Sequence, residues 1–246
     1  HGRLENLVLS GKLWSAGRIC KAKGCRQRPV VVMVRVALAN HPASMAGPQD
    51  PGETKVHDSN THPLAAEALP GDHIGLLEGL ASTRAIRRYE DLPIPERDLR
   101  AILFGATRGP SGSNRQPFRF LVLTDSPRAQ QAKALIGEAA RAVWAAKFER
   151  DGYAVGSGVD EQSPKARMAR TMDAYVARFE QAQVLVLPCL VRYREPSPME
   201  GASVYPAVQN LLLGARALGY GGVITGFHAA VESELKALLD IPSEVF

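Results

Sequence analysis

The 246-residue chain is long enough for one sizeable domain, and its content of 45% hydrophobic and 22% charged residues is ordinary for a globular protein. Its formal net charge of +5 arises in residues 1–40, where eight Lys or Arg and one Glu give +7 and leave −2 for the rest, so nucleic-acid binding is not expected. Three cysteines without a C-x-x-C pair predict neither a disulfide framework nor a metal site, and the expected compartment is the cytoplasm.

The first 70 residues differ in composition from the remainder. A basic stretch is followed by residues 40–70, which are rich in Pro, His, Gly, Ser and Asp and show no helical or strand period, so residues 1–70 are predicted to form a disordered extension. The apolar run from Pro29 to Ala39 contains Arg35 and is too short to span a bilayer, which argues against membrane association. We therefore assign the folded domain to residues 71–246.

Helices are predicted to dominate the first half of this domain. Asp72 is the expected N-cap of a helix carrying Ile74, Leu77 and Leu80. The next elements in chain order are a helix with Leu99, Ile102 and Leu103 on its apolar face and Glu96 and Asp98 in its first turn, a strand over 118–123, and a helix over 127–149.

The second half predicts two further strands among three helices. Residues 165–181 are expected to be helical, and 184–193 to form a strand that Pro188 makes irregular or confines to an edge. An apolar helix over 202–218, a short strand over 223–225 and a helix over 231–239 follow. Few, widely separated strands among many helices indicate the α+β class.

Three segments carry chemistry. Arg84 and Arg87 lie three residues apart, and in helical or turn geometry they could converge on one anion, because guanidinium offers phosphate a planar fork of donors. The alternative is a solvated basic patch that complements a helix end.

The second segment is the Gly-Pro-Ser-Gly-Ser-Asn-Arg-Gln-Pro loop at residues 109–117. Gly and Pro impose a non-repeating backbone, while Ser, Asn and Gln supply neutral donors and acceptors suited to the edge of a planar heteroaromatic ring. An ordinary helix-to-strand loop is the alternative.

The third segment, residues 219–226, is rich in glycine but follows a helix and enters a strand. That order is the reverse of a dinucleotide-binding fingerprint, which excludes a Rossmann interpretation. Its glycines are expected to end the helix and to let the backbone approach a flat group.

Together these segments resemble the nitroreductase family of FMN-dependent, NAD(P)H-utilising oxidoreductases, over roughly residues 73–242. Arg84 to Tyr89 is similar to the family's Arg-Arg-Ser-x-Arg-x-Phe. Ala106 to Leu123 is similar to Ala-x-x-Ala-Pro-Ser-Gly-Gly-Asn-x-Gln-Pro-Trp-x-Phe, and Val208 to Gly222 to Ala-x-Gln-Asn-Leu followed by a Gly-Leu-Gly turn.

The resemblance implies a nitroreductase-like fold, with helices around a small mixed or antiparallel sheet, in a homodimer that holds FMN at the subunit interface. Arg84 and Arg87 are implied at the phosphate and ribityl chain, Ser111 and Asn114 at the isoalloxazine with Gln116 nearby, and Gly221 and Gly222 on its opposite side. The remaining implied cofactor contacts are Ala85, Pro110 and Gly112.

The implied reaction passes hydride from NADPH or NADH through the flavin to a small-molecule acceptor such as a nitroaromatic or a quinone. No side-chain acid or base is required, so the catalytic step is flavin-mediated, and His228 is expected to be a surface or capping residue. Two alternatives stay open: a flavin-fragmenting or dehalogenating member of the family, and a protein that binds FMN without turnover.

Two departures from the family pattern stand out. Ala85 replaces the usual Ser and removes one hydroxyl contact. In the family pattern, a strand and a basic residue that contacts the phosphate follow the position of Ile241-Pro242. Neither follows in this sequence, so one interpretation is a truncated C-terminus.

Overall fold

The computed structural model describes residues 33–38, 69–193 and 198–245. Within them the α+β class is confirmed. The strands are β1 (Met33–Leu38), β2 (Phe118–Leu123), β3 (Val184–Leu190) and β4 (Tyr220–Thr225). The helices are α1 (Leu76–Ser82), α2 (Glu96–Thr107), α3 (Pro127–Arg150), α4 (Pro164–Ala177), α5 (Tyr205–Ala217) and α6 (Glu232–Leu238).

The four strands form one small antiparallel sheet in the order β2-β3-β1-β4. Strand β1 lies between β3 and β4, with Val36 opposite both Val184 and Gly222. Residues 33–38 thus differ from the structureless stretch expected over 1–70, because their Val-rich sequence favours a strand once two partner strands are available. The other residues of 1–68 lie outside the described part of the chain.

Strand β3 is an inner strand, so the prediction that Pro188 confines it to an edge is wrong. Pro188 pairs with Phe120 of β2, whereas the recorded pairing with β1 covers only residues 184–186. The strand accommodates proline because Pro188 lies beyond the residues of β3 that pair with β1. Its missing N–H therefore removes no hydrogen bond of that pairing.

Local capping signals fix the start of the long helices. The Ser126 hydroxyl accepts a hydrogen bond from the Ala129 N–H (3.2 Å) at the start of α3, and Ser163 accepts one from Ala166 (3.0 Å) at the start of α4. A proline follows each serine, at a position whose N–H no helix needs. The predicted helix over 127–149 and the predicted strand over 118–123 are confirmed within one residue, and Glu96 and Asp98 lie in the first turn of α2 as expected.

Two predicted helices are shorter than expected, because a 3-10 helix replaces the end of one and the start of the other. Helix α4 ends at Ala177, and residues 179–181 form a 3-10 turn; residues 198–203 form another before α5 begins. The first helix also begins later than predicted, with Gly75 rather than Asp72 as its N-cap. Its leucines are exposed, Leu77 at 81%.

The period of two along β2 and β3 divides the core into two layers. Phe120 and Val186 pack on the face covered by α2 and α5, while Leu121 and Leu187 pack on the face covered by α3, α4 and α6. The sheet is therefore enclosed between helices on both sides. None of the helices in the described residues is long and apolar enough to cross a membrane.

Lys133 of α3 ties two strand ends together from inside the second layer. Only 1% of this residue is exposed, and its ammonium group donates to the carbonyl oxygens of Thr124, Ala182 (2.6 Å) and Gln183 (3.5 Å). The Thr124 carbonyl follows β2, and the carbonyls of Ala182 and Gln183 precede β3. One buried ammonium group thus satisfies backbone acceptors at the ends of two strands.

Candidate functional site

The segment carrying Arg84 and Arg87 runs alongside the glycine-rich strand β4. Ala85 and Gly222 form a parallel β-bridge, and the Ile86 N–H donates to the Gly222 carbonyl at 3.0 Å. The segment is not helical, which corrects the helical or turn geometry assumed for convergence of the two arginines. The structure nevertheless brings Arg84, Ala85 and Arg87 next to Gly222.

The two arginines have different surroundings. Arg84 is exposed, and its guanidinium donates to the carbonyls of Ala81 and Thr83 at 2.9 Å each, where helix α1 ends. This contact matches the alternative interpretation of a cation at a helix end. Arg87 is half-buried, and neither arginine has an Asp or Glu within ion-pair distance among the described residues.

Gly221 permits this close approach. A Cβ at Gly221 would lie 2.9–3.0 Å from the side chain of Ile86, a separation that real Cβ atoms hardly show. Within the described chain, the group that packs against the bare face of Gly221 is therefore the side chain of Ile86. Gly221 and Gly222 are both buried.

The loop at 109–117 is closed by its own hydrogen bonds. Ser113, Asn114 and Gln116 have positive φ angles of 53°, 50° and 49°, which turn the chain sharply within five residues. The Ser111 hydroxyl accepts from the Gln116 N–H (2.8 Å), and the Gln116 side-chain amide donates to Asn114 Oδ1 (3.2 Å). The amides of Asn114 and Gln116 remain exposed at its surface.

Contacts with two other elements hold this loop in place. A Cβ at Gly109 would lie 2.6 Å from the Ala207 backbone, so the loop crosses α5 in backbone contact that leaves no room for a side chain at residue 109. The Gly112 N–H donates to the Ser203 hydroxyl (3.3 Å), and the Val191 N–H donates to the Pro117 carbonyl (2.9 Å). The loop thus joins the start of α5 to the end of β3.

The arginine segment and the loop lie at opposite ends of α5. The loop packs on Ala207, whereas the Arg216 guanidinium donates to Ser82 (3.1 Å), just before Arg84. Nine residues of helix between Ala207 and Arg216 correspond to about 14 Å. Among the described residues, no hydrogen bond or β-bridge joins the arginine segment to the loop.

The model of the nitroreductase family matches residues 80–246, more than half of the chain and all three segments. The chain belongs to the nitroreductase family. It is 25% identical over 175 residues (69% of this chain, 71% of the relative) to a protein of Methanothermobacter thermautotrophicus, and 27% identical over 172 residues (69% and 78%) to one of Archaeoglobus fulgidus. Both relatives are named "Putative NADH dehydrogenase/NAD(P)H nitroreductase".

The solved structures agree with the family fold. The FMN and NADPH-dependent nitroreductase NfnB from Sphigopyxis sp. strain HMH superposes with a TM-score of 0.51 at 22% identity, over 70% of this chain and 84% of that chain. At this identity the likeness concerns the fold. The chain accordingly has the nitroreductase-like fold, helices around a small antiparallel sheet, and is a member of an oxidoreductase family.

His228 of this nitroreductase-family chain is not at the surface, contrary to the sequence-based expectation. It is 2% exposed, and among the described residues neither ring nitrogen has a hydrogen-bond partner. Burial lowers the pKa of the imidazole to about 4, although the Glu232 carboxylate acts in the opposite direction. No sequence signal distinguishes it from an exposed histidine, because its burial depends on the packing of residues 227–230 against α3 and α6.

Other polar groups have structural roles. The Tyr220 hydroxyl donates to Asp98 at 2.6 Å and links β4 to α2, and burial with the neighbouring carboxylate raises the pKa of this phenol. Burial also raises the pKa of the Cys189 thiol to about 11, which disfavours the thiolate. Cys20 and Cys25 lie outside the described residues, within which no metal-binding cluster of His, Cys, Asp or Glu occurs.

Proposed function

We propose that the protein is an FMN-dependent oxidoreductase that takes hydride from NADPH or NADH and passes it to nitroaromatic, quinone or similar acceptors. The observation that carries this proposal is the pairing of the Arg84–Arg87 segment with Gly222 in a chain that matches the nitroreductase family over residues 80–246. Bound FMN would supply the hydride chemistry, and the protein supplies binding and orientation.

The arginine segment fits the anionic end of FMN. Arg84 and Arg87 flank Ala85, which is fixed against β4 by its bridge to Gly222. Without an ion-pair partner among the described residues, these guanidinium groups are available to a phosphate, which they would bind through charge-assisted hydrogen bonds. Gly221 and Gly222 lie beside this segment, and we propose that their backbone passes the flavin on the side opposite the loop.

The 110–116 loop fits the ring end. Pro110 and Gly112 shape a rigid turn, and its internal hydrogen bond from Gln116 N–H to Ser111 keeps the backbone closed. The exposed amides of Asn114 and Gln116 can then donate to, or accept from, the carbonyl and ring-nitrogen edge of an isoalloxazine.

We propose that the protein is a homodimer, in which a second copy brings its loop to the first copy's arginine segment and so completes two equivalent sites. Helix α1 offers apolar surface for this contact, since Leu76, Leu77 and Leu80 are 70%, 81% and 50% exposed. Burying those leucines would contribute hydrophobic stabilisation to the assembly.

We further propose that residues 71–246 form the FMN-binding domain, to which residues 33–38 add a strand, and that the protein acts in the cytoplasm on small molecules rather than on nucleic acid or membranes.

The first test is the visible spectrum of the purified protein before and after anaerobic addition of NADPH. Flavin bands that bleach would support the proposal, and an acceptor should then restore them. Bands that do not bleach with NADPH or NADH favour the non-catalytic alternative. A protein that neither carries flavin nor takes up added FMN contradicts the proposal.

Variants test the phosphate assignment. Arg84→Gln and Arg87→Gln should each weaken FMN binding at least about ten-fold, since each removes a charge-assisted contact. Arg88→Gln is the matched control: Arg88 is exposed, and its recorded contact is with Thr171 at 3.5 Å. Fluorescence titration of the apoprotein with FMN measures all three, and equal affinities would refute the assignment.

A further inference from the structure

Arg115 and Tyr193 form a cation–π pair beside the loop. The guanidinium carbon of Arg115 lies 4.2 Å from the centroid of the Tyr193 ring, within the range of a cation–π contact. Arg115 is exposed, and Tyr193 is 52% exposed. The contact with the ring involves no acidic group, so the guanidinium N–H donors that do not point at the ring remain available to an anion.

The backbone on both sides of this pair is fixed. Just before Tyr193, the Val191 N–H donates to Pro117 (2.9 Å) and the Arg192 N–H to Glu244 (3.2 Å). On the other side, the Arg115 N–H donates to the Gly112 carbonyl at 3.2 Å. The arginine is therefore held in a defined place rather than spread over a loose surface loop.

The neighbouring arginines are engaged differently. Arg119 donates to the carbonyls of Gln116 (3.1 Å) and Phe118 (2.8 Å), and Arg192 faces Glu200 at 3.6 Å. Arg115 has no carboxylate within ion-pair distance among the described residues. Its positive charge is positioned but not neutralised by an acidic side chain, which suits the binding of an anion.

We propose that Arg115, held against Tyr193, binds a phosphate group of the nicotinamide reductant. The inference rests on the proposed function: if Asn114 and Gln116 border the isoalloxazine, a nicotinamide stacked on that ring extends its phosphates past Arg115, which lies between them in the chain. Tyr193 is a positioning residue that orients the guanidinium. The pair is then a determinant of reductant binding, separate from the residues that hold FMN.

The test is steady-state kinetics of the flavin-loaded protein with NADPH and with NADH, using an uncharged quinone as acceptor. Arg115→Gln should raise the KM for reductant about ten-fold with little change in kcat, and Arg115→Lys should raise it less, because lysine keeps the charge but loses the planar fork. An effect confined to NADPH identifies the 2′-phosphate, and an effect on both reductants identifies the pyrophosphate.

Tyr193 and salt supply readouts that a purely structural role would not move. Tyr193→Phe keeps the ring and should leave KM within about two-fold, whereas Tyr193→Leu should raise it. In the unsubstituted protein, KM should increase with ionic strength, and Arg115→Gln should flatten that dependence because the screened charge is gone. The control is Arg97→Gln, an equal change of charge at an exposed position of α2.

The flavin spectrum separates failure of this inference from failure of the proposed function. If Arg115→Gln is fully flavinated and its KM for both reductants is unchanged, the inference is overturned and the proposed function stands. The inference is also overturned if, with an anionic acceptor in place of the quinone, Arg115→Gln changes only the KM of that acceptor. If the unsubstituted protein carries flavin but oxidises neither reductant, both are overturned.

Discussion

Acid is expected to destabilise this fold through His228. The imidazole is buried, and its depressed pKa of about 4 means that the folded protein holds it neutral. In the unfolded chain the same group titrates at about 6.5. Between about pH 6.5 and 4 the unfolded state therefore binds a proton that the folded state does not, so the stabilising contribution is complete above pH 6.5 and is lost as the pH falls towards 4.

The two pKa values set the magnitude. Proton linkage gives a loss in the free energy of unfolding of about 1 kcal/mol between pH 7 and 5.5, and of about 2 kcal/mol by pH 4.5. The interval above pH 5.5 is the most informative, because ordinary carboxylates, with pKa values near about 4, contribute little there.

Urea unfolding at these pH values, followed by circular dichroism, measures the effect. His228→Leu fills the site with an apolar side chain and should remove this component, so its stability should exceed that of the unsubstituted protein by a margin that grows as the pH falls. His73→Gln replaces an exposed histidine and should retain the full pH dependence. If His228→Leu loses as much stability as the unsubstituted protein between about pH 7 and 5.5, the reasoning is refuted.

Three further substitutions, one of them with a matched control, test the packing and the hydrogen bonds of the fold. Gly109→Ala places a Cβ 2.6 Å from the Ala207 backbone and should cost about 1–3 kcal/mol in thermal unfolding, whereas Gly105→Ala meets nothing within 4 Å and should gain up to about 1 kcal/mol. Lys133→Met leaves buried carbonyls unpaired and should lower the free energy of unfolding by about 3 kcal/mol in urea titrations. Val36→Pro should cost about 2 kcal/mol or more, since it breaks ladder hydrogen bonds of an inner strand, and amide hydrogen exchange in β3 and β4 should increase.

Each of these has a contrary outcome. Equal melting temperatures for the Gly109 and Gly105 variants would mean that the loop does not cross α5 closely. An unchanged free energy of unfolding for Lys133→Met would mean that water replaces the ammonium group at these carbonyls and that the Lys133 contacts do not stabilise the fold. Unchanged amide hydrogen exchange in β3 and β4 after Val36→Pro would mean that β1 is not part of the sheet.

Some of this architecture was determined by short-range sequence signals. Ser126 followed by Pro127 specifies where α3 begins, because the cap and the preset proline dihedral need no distant partner. The short apolar run Phe118–Leu123, followed by a turn, likewise specifies a strand by its length. Three motifs, at residues 84–89, 106–123 and 208–222, resemble those of the nitroreductase family in the same order, and the family match over residues 80–246 confirms that resemblance.

The tertiary structure decided what depends on partners distant in the chain. Val36 is a strand residue because Val184 and Gly222 flank it, and Pro188 lies in an inner strand because β1 joins β3 elsewhere along its length. His228 is neutral because packing removes water from it. Burial and pairing free energies depend on the environment of a side chain, and that environment exists only after segments remote in sequence have come together.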